Sequence, residues 1–346
     1  MSRVRIVLIL TENWTMRPAP EVADLVTFAV EAERAGLDAV MVSEHVVLGP
    51  SADAAGRPAN PRDYALPGNQ DPATPWPSPL VLLSAVAAAT TRIRLVAGAL
   101  ISPLRHPLAS AKDLATLDRL SGGRLVVQPT VSWHRDEYDA LGVPFGQRGE
   151  ILDEQLEIWA KAWNGSPVNH GGKHYSFGPI WVEPPPARPG GPDLWFGGSS
   201  LHPRLIARLV RYGSGFNPLG PAGDLAPLAA AMTAAGRRLD ELEYVGGTRG
   251  VFPGPDAVAD LDQALSAVPA QLAGGFTTIC VKPSQFTDDT AAIGAFCRSL
   301  AAKAASLIYA PWIALAVLVI GFASTFVTRA RRSASSELSD LTKSTA

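Results

Sequence analysis

Cysteine is scarce in this chain of 346 residues. Only Cys280 and Cys297 carry thiols, and they stand too far apart for a CxxC metal or redox motif. That usage suits a reducing compartment, with both thiols buried as small apolar groups. Neither sign of charge is in excess. The 30 Lys and Arg against 32 Asp and Glu leave a formal net charge of -2, with no dense basic stripe, so nothing draws nucleic acid to the surface. No GxGxxG turn follows the first apolar run, and no GxSxG turn occurs anywhere. A dinucleotide-binding open sheet and a serine hydrolase both lose their main support. The N-terminal apolar run, Ile6 to Leu10, is shorter than a signal-peptide core and has no small-residue cleavage site after it. It reads as a buried first strand.

What the sequence does contain is a rhythm. Hydrophobic residues make up 47% and charged residues 18%, enough to fill a sizeable core. Short β-branched runs alternate with helical patterns, as βα units and a parallel sheet require. The runs fall at 4–10, 39–43, 93–99 and 125–129, then at 194–197, 215–217, 244–248 and 277–281. Eight such units over about 300 residues match a closed eight-stranded parallel β/α barrel of the TIM type; an open doubly wound sheet is the alternative. Val22, Leu25, Val26, Ala29 and Val30 share one helical face, and Gly36 can cap that helix in the left-handed region. Ala111, Leu114, Leu117 and Leu120 repeat the pattern before Gly122 and Gly123. Two stretches, 48–79 and 164–192, are too rich in Pro and Gly for one regular element and read as long excursions on one barrel face, the second an insertion before strand five.

The C-terminal region breaks the rhythm. Between Ala304 and Thr328 no charged residue occurs, a length able to cross a hydrocarbon core of roughly 30 Å, with Tyr309 and Trp312 at one interface and Arg329, Arg331 and Arg332 at the other. The expected organisation is therefore a barrel over residues 1–302, then a hydrophobic, membrane-spanning or membrane-associated helix and polar tail over 303–346. A buried final helix is the competing reading. The arginines favour a cytoplasmic C-terminus, which would put the barrel outside, yet no export signal is visible. The expected location is cytoplasmic, with 304–328 as the candidate membrane attachment.

In a β/α barrel the working groups lie at the C-terminal ends of the strands. Those ends deliver Thr11, Glu12, Asn13 and Trp14, then Ser43, Glu44 and His45, then Ser102, Arg105 and His106. The fourth offers Gln128, Thr130, Ser132, Trp133 and His134. The fifth offers Gly197, Gly198, Ser199 and Ser200 ahead of a helix that starts near Pro203. Glycines allow close approach of a ligand to the backbone, and a helix N-terminus presents unpaired amides, so this turn suits a phosphate. It equally suits a tight turn with an ordinary helix cap. His45, His106 and His134 lack the short spacing of metal ligands, and no metal site is read here. Glu44-His45, directly after a buried strand, is the best-placed acid–base pair.

Several colinear motifs complete the picture: Leu104-Arg-His-Pro-Leu108, Ala115-Thr-Leu-Asp-Arg-Leu-Ser-Gly-Gly-Arg-Leu125, Trp133-His-Arg-Asp-Glu-Tyr-Asp-Ala-Leu-Gly-Val-Pro-Phe145 and Leu194-Trp-Phe-Gly-Gly-Ser199. Together they resemble the luciferase-like monooxygenase superfamily over roughly residues 1 to 300. The resemblance implies an oxidoreductase holding flavin mononucleotide (FMN) or the deazaflavin coenzyme F-420 at the barrel mouth. By position it implies His45 as proton donor near the ring, tuned by Glu44. Gly98 and Ala99 would brace the ring through an unusual peptide geometry. Ser132 and Trp133 would approach the ring, and Gly198, Ser199 and Ser200 would hold the phosphate. The preferred expectation is hydride transfer between F-420 and a small organic substrate. The alternatives are an FMN-dependent two-component monooxygenase and a catalytically silent, membrane-tethered barrel. A homodimer and a reductase supplying reduced flavin or F-420 are the protein partners to expect. Val127-Gln-Pro-Thr-Val131 departs from the glycine-rich end usual for strand four and would reshape the pocket.

Overall fold

In the computed structural model the described residues are 2–309, apart from 219, 221 and 222. Eight strands carry the architecture: β1 (Arg5–Ile9), β2 (Ala39–Val42), β3 (Arg94–Ile101), β4 (Leu125–Thr130), β5 (Asp193–Gly198), β6 (Gly215–Pro218), β7 (Glu243–Gly247) and β8 (Thr278–Val281). Each lies on one of the eight apolar runs. Every neighbouring pair is parallel, and β8 pairs with both β7 and β1, so the ring closes. Closure rules out the open sheet and leaves the ring without an exposed edge.

Ten helices are described: α1 (Asp24–Ala35), α2 (Pro79–Ala89), α3 (Pro107–Leu120), α4 (Arg135–Ala140), α5 (Arg148–Asn164), α6 (Pro203–Tyr212), α7 (Ala226–Ala234), α8 (Leu261–Leu265), α9 (Val268–Ala273) and α10 (Ile293–Ala305). The buried face of α1 is Leu25, Phe28, Ala29 and Ala32. Val22, assigned to that stripe from sequence, lies before the helix and is exposed, because the helix starts only at Asp24. Gly36 closes α1 at φ 83°, a left-handed turn that few other residues adopt at low cost. On α3 the inward face is Ala111, Leu114 and Leu117, whereas Leu120 points out beside the left-handed Gly122 and Gly123.

Because strand side chains alternate, each strand contributes one face to the barrel interior and one to the layer beneath the helices. Val7, Ile9, Ala39, Met41, Val96, Val126, Trp195, Val245 and Cys280 form the interior cluster. Two residues towards the N-terminal ends, Glu243 gathers Arg94 at 3.0 Å, Arg5 at 3.1 Å and the Thr278 hydroxyl into a polar plug. Two residues towards the C-terminal ends stand Gly98, Gln128, Gly197, Asn217, Gly247 and Lys282. Three of these six are glycines.

The insertion before β5 is an antiparallel hairpin, Val168–Gly171 with Ser176–Ile180. The apolar helix expected towards the C-terminus lies, beyond its first residues, outside the described residues. The first residues of its uncharged stretch do not: Ala304 and Ala305 close α10, and Ile308–Tyr309 pair with Ser2–Arg3 at the N-terminal end of the barrel. Among the described residues no helix is long and apolar enough to cross a membrane.

Candidate active site

His45 follows β2 at the mouth and is buried. Its Nδ1 faces Glu137 Oε2 at 3.4 Å, and its Nε2 faces the Gln70 amide nitrogen at 3.3 Å. An ionised carboxylate only accepts, so His45 donates from Nδ1, leaving Nε2 to receive a Gln70 N–H. Glu137 sits in the first turn of α4, wholly buried, and also accepts the backbone N–H groups of Val46 and Val47. The rings of Trp76, Trp133 and His134 meet His45 edge-on, with centroids 5.3, 5.7 and 6.1 Å away.

Glu44, expected to tune His45, points elsewhere. Its carboxylate receives the Ile101 amide at 2.8 Å and both terminal nitrogens of Arg105. Successive residues at a strand end face opposite sides, so Glu44 and His45 cannot share one partner. The carboxylate on His45 is Glu137, 92 residues away in sequence; no local spacing advertises it. Arg105 thereby gains a structural role, tying the β3 loop to β2.

Ser132 occupies the left-handed region at φ 56°, with its hydroxyl 3.4 Å from Glu137 Oε2. That turn sets Trp133 against His45 and buries His134. His134 Nε2 accepts the Gly49 N–H at 2.7 Å, which places its proton on Nδ1. Burial is the largest influence on this ring and lowers its pKa, keeping it neutral. The Gly98–Ala99 peptide is cis, and a Cβ at Gly98 would come within 3.1 Å of Met41 and Val96 in the interior.

Gly198, Ser199 and Ser200 lie at the end of β5, away from the His45 cluster, with both serines exposed. The cap of α6 is His202, whose Nδ1 accepts the Leu205 N–H at 3.3 Å, so neither serine is needed for capping. Packing demands the first glycine, since a Cβ on Gly197 would meet the Asn217 carbonyl at 2.8 Å, whereas one on Gly198 would meet only the end of the Leu205 side chain at 3.0 Å. Gln128, the departure noted in strand four, fills the interior beside Gly197 and accepts from Asn217 at 3.0 Å.

The 48–79 excursion crosses the mouth. It is anchored on one side by Gly49 to His134 and Ser51 to Asp136. On the other, Arg62 pairs with Asp288 and Tyr64 donates to the Thr248 carbonyl at 2.9 Å. Tyr64 packs on the interior cluster, and its burial pushes the phenol well above its ordinary value. Below it, Lys282 pairs with Glu12 at 3.2 Å and donates to the Asp63 carbonyl at 2.8 Å. Three buried polar atoms around His45 have no partner among the described residues: Gln70 Oε1, Trp76 Nε1 and His134 Nδ1. None of Gln70, Trp76, Tyr64, Glu137 and Lys282 stood among the candidates read from the sequence: the first, second and third lie in a loop with no periodicity to place them, and the partners of Glu137 and Lys282 are distant in the chain.

The family model described as luciferase-like monooxygenase matches residues 5–276. The chain belongs to this family. That is a family of flavin- or deazaflavin-dependent oxidoreductases. Among curated relatives, an uncharacterized protein of Mycobacterium tuberculosis is 38% identical over 166 residues, 47% of this chain and 56% of that one. The FMNH(2)-dependent dimethylsulfone monooxygenase of Pseudomonas putida is 30% identical over 129 residues, 36% of this chain and 35% of that enzyme. The chain thus spans about half, or less, of the curated relatives it matches. Among solved structures, the monooxygenase RslO1 from Streptomyces bottropensis superposes with a TM-score of 0.65 at 20% identity, covering 86% of this chain and 98% of that one. The coenzyme F-420 dependent tetrahydromethanopterin reductase of Methanopyrus kandleri gives 0.63 at 16% identity with the same coverage. At such identities the likeness speaks for the luciferase-like barrel alone.

Proposed function

We propose that this luciferase-like protein transfers a hydride between the deazaflavin coenzyme F-420 and a small organic substrate. One observation carries the reading: a buried histidine at the mouth, held by Glu137 through one nitrogen, with its other nitrogen turned to the Gln70 amide at 3.3 Å. The residues present suit a planar polar ring, since unpaired donors and an unpaired acceptor surround His45. When bound, the deazaflavin would supply a carbon centre that gives or takes hydride. His45 Nε2 would hold or release the accompanying proton, and Glu137 would stabilise the imidazolium that results. Ser132 and Trp133 would flank the ring, and the Ser199 and Ser200 amides would hold the phosphate. Residues 48–79 would exclude water from the reacting centre. A small-molecule substrate site beneath this strap, a homodimer, a partner reductase and membrane attachment through the part of 304–328 that follows Tyr309 belong to the same reading.

A second reading is an FMN-dependent monooxygenase, favoured by the 30% identity to the dimethylsulfone enzyme. Titrating the full-length protein separately with F-420 and FMN, and recording the visible spectrum of protein from a host that makes both, tests the choice. Tight F-420 binding without oxygen-dependent turnover is the expected result. Preferential FMN binding with oxygen-dependent turnover would displace it, and binding of neither would favour a catalytically silent barrel.

A further inference from the structure

The three partnerless atoms around His45 form a pattern, and the pattern names a ligand edge. Trp76 Nε1 is a donor and can be nothing else. His134 Nδ1 is also a donor, because the Gly49 N–H occupies Nε2 and burial keeps the ring neutral. Gln70 gives its N–H to His45 Nε2, which leaves Oε1 as an acceptor. All three atoms are buried, and a buried polar atom without a partner costs about 1–3 kcal/mol. Two donors and one acceptor, all grouped around His45, fit a group that offers two acceptors and one donor.

We infer that Gln70, Trp76 and His134 recognise a cyclic imide, whose two carbonyl oxygens accept from Trp76 Nε1 and His134 Nδ1 and whose N–H donates to Gln70 Oε1. The pyrimidinedione edge shared by flavin and deazaflavin is such an imide, so the inference rests on the proposed function and specifies which edge of the ring this chain reads. Two of the three atoms come from the 48–79 strap, which makes the strap a recognition element as well as a cover. His134 joins it through the Gly49 bond, so strap and barrel read the ligand together.

The test uses free rings and needs no turnover. Binding of lumiflavin and of 3-methyllumiflavin to the full-length protein is measured by fluorescence quenching; methylation removes only the imide proton. Lumiflavin should bind about tenfold tighter, a ratio set by one buried hydrogen bond. In Gln70→Met the two rings should bind within about twofold of each other. Trp76→Phe, which keeps the aromatic surface and loses only the N–H, should weaken lumiflavin severalfold and leave the tenfold ratio in place. Equal binding of both rings by the unaltered protein, or a ratio unchanged in Gln70→Met, overturns the imide assignment while leaving the cofactor reading standing. Binding of neither ring overturns both.

Discussion

His45 and Glu137 show how one buried contact organises several groups. Glu137 serves the imidazole and two backbone amides at once, so its removal leaves the buried imidazole N–H and two part-buried amides without that acceptor. Glu137→Ala should therefore lose about 2–4 kcal/mol of stability, read as a lowered denaturant midpoint. His45→Ala acts on chemistry instead: turnover should fall by two orders of magnitude or more while ring affinity stays within about threefold. Unchanged turnover would remove His45 from the mechanism. His134 adds a pH dependence. Its folded-state pKa lies below the ordinary 6.5, so the unfolded chain binds the extra proton first as pH falls. Stability is full above about pH 6.5 and declines below it, by at most about 1.4 kcal/mol per pH unit until the folded value is passed. Urea midpoints at pH 7.5 and 5.5 should differ less in His134→Gln than in the native protein; equal differences would clear His134 of that role.

Among the elements, the strap spanning 48–79 depends on close approach at Gly49. A Cβ there would lie 2.4 Å from Asp136, which holds Ser51 through both backbone and side chain. Gly49→Ala should push the strap off α4, breaking the Gly49 to His134 bond as well. The expected signature is faster hydrogen exchange confined to residues near 49–52 and near 70–76, with barrel strands still protected. Uniform loss of protection across the barrel would mean that the strap is part of the global fold. The motifs around residues 104–125 owe their structure to similar ties. Asp118, buried on α3, accepts the amides of Ala187 and Arg188 and so fixes the long connection into β5.

For the whole molecule, closure of the ring is the feature on which the mouth depends. Glu243 on β7 links β1, β3 and β8 at the end opposite the mouth. Glu243→Ala would leave Arg5 and Arg94 crowded at the end of the barrel with no compensating charge. It should cost about 3–5 kcal/mol, seen as a thermal transition many degrees lower, whereas a loss under 1 kcal/mol would show that solvent replaces the carboxylate. The strands, their parallel order and the positions facing the mouth were legible in the sequence, because alternation and run length are local consequences of side-chain chemistry. The family was legible too, through motifs such as Arg105-His106-Pro107 that hold one another in a fixed order. What only the tertiary structure decided is which groups meet. Glu44 turned to Arg105, Glu137 took its place beside His45, and Gln70 and Trp76 came in from a loop without any repeat. Contacts between residues far apart in the chain are set by closure of the ring and the path of the strap across it, and neither leaves a periodic trace in the residues themselves.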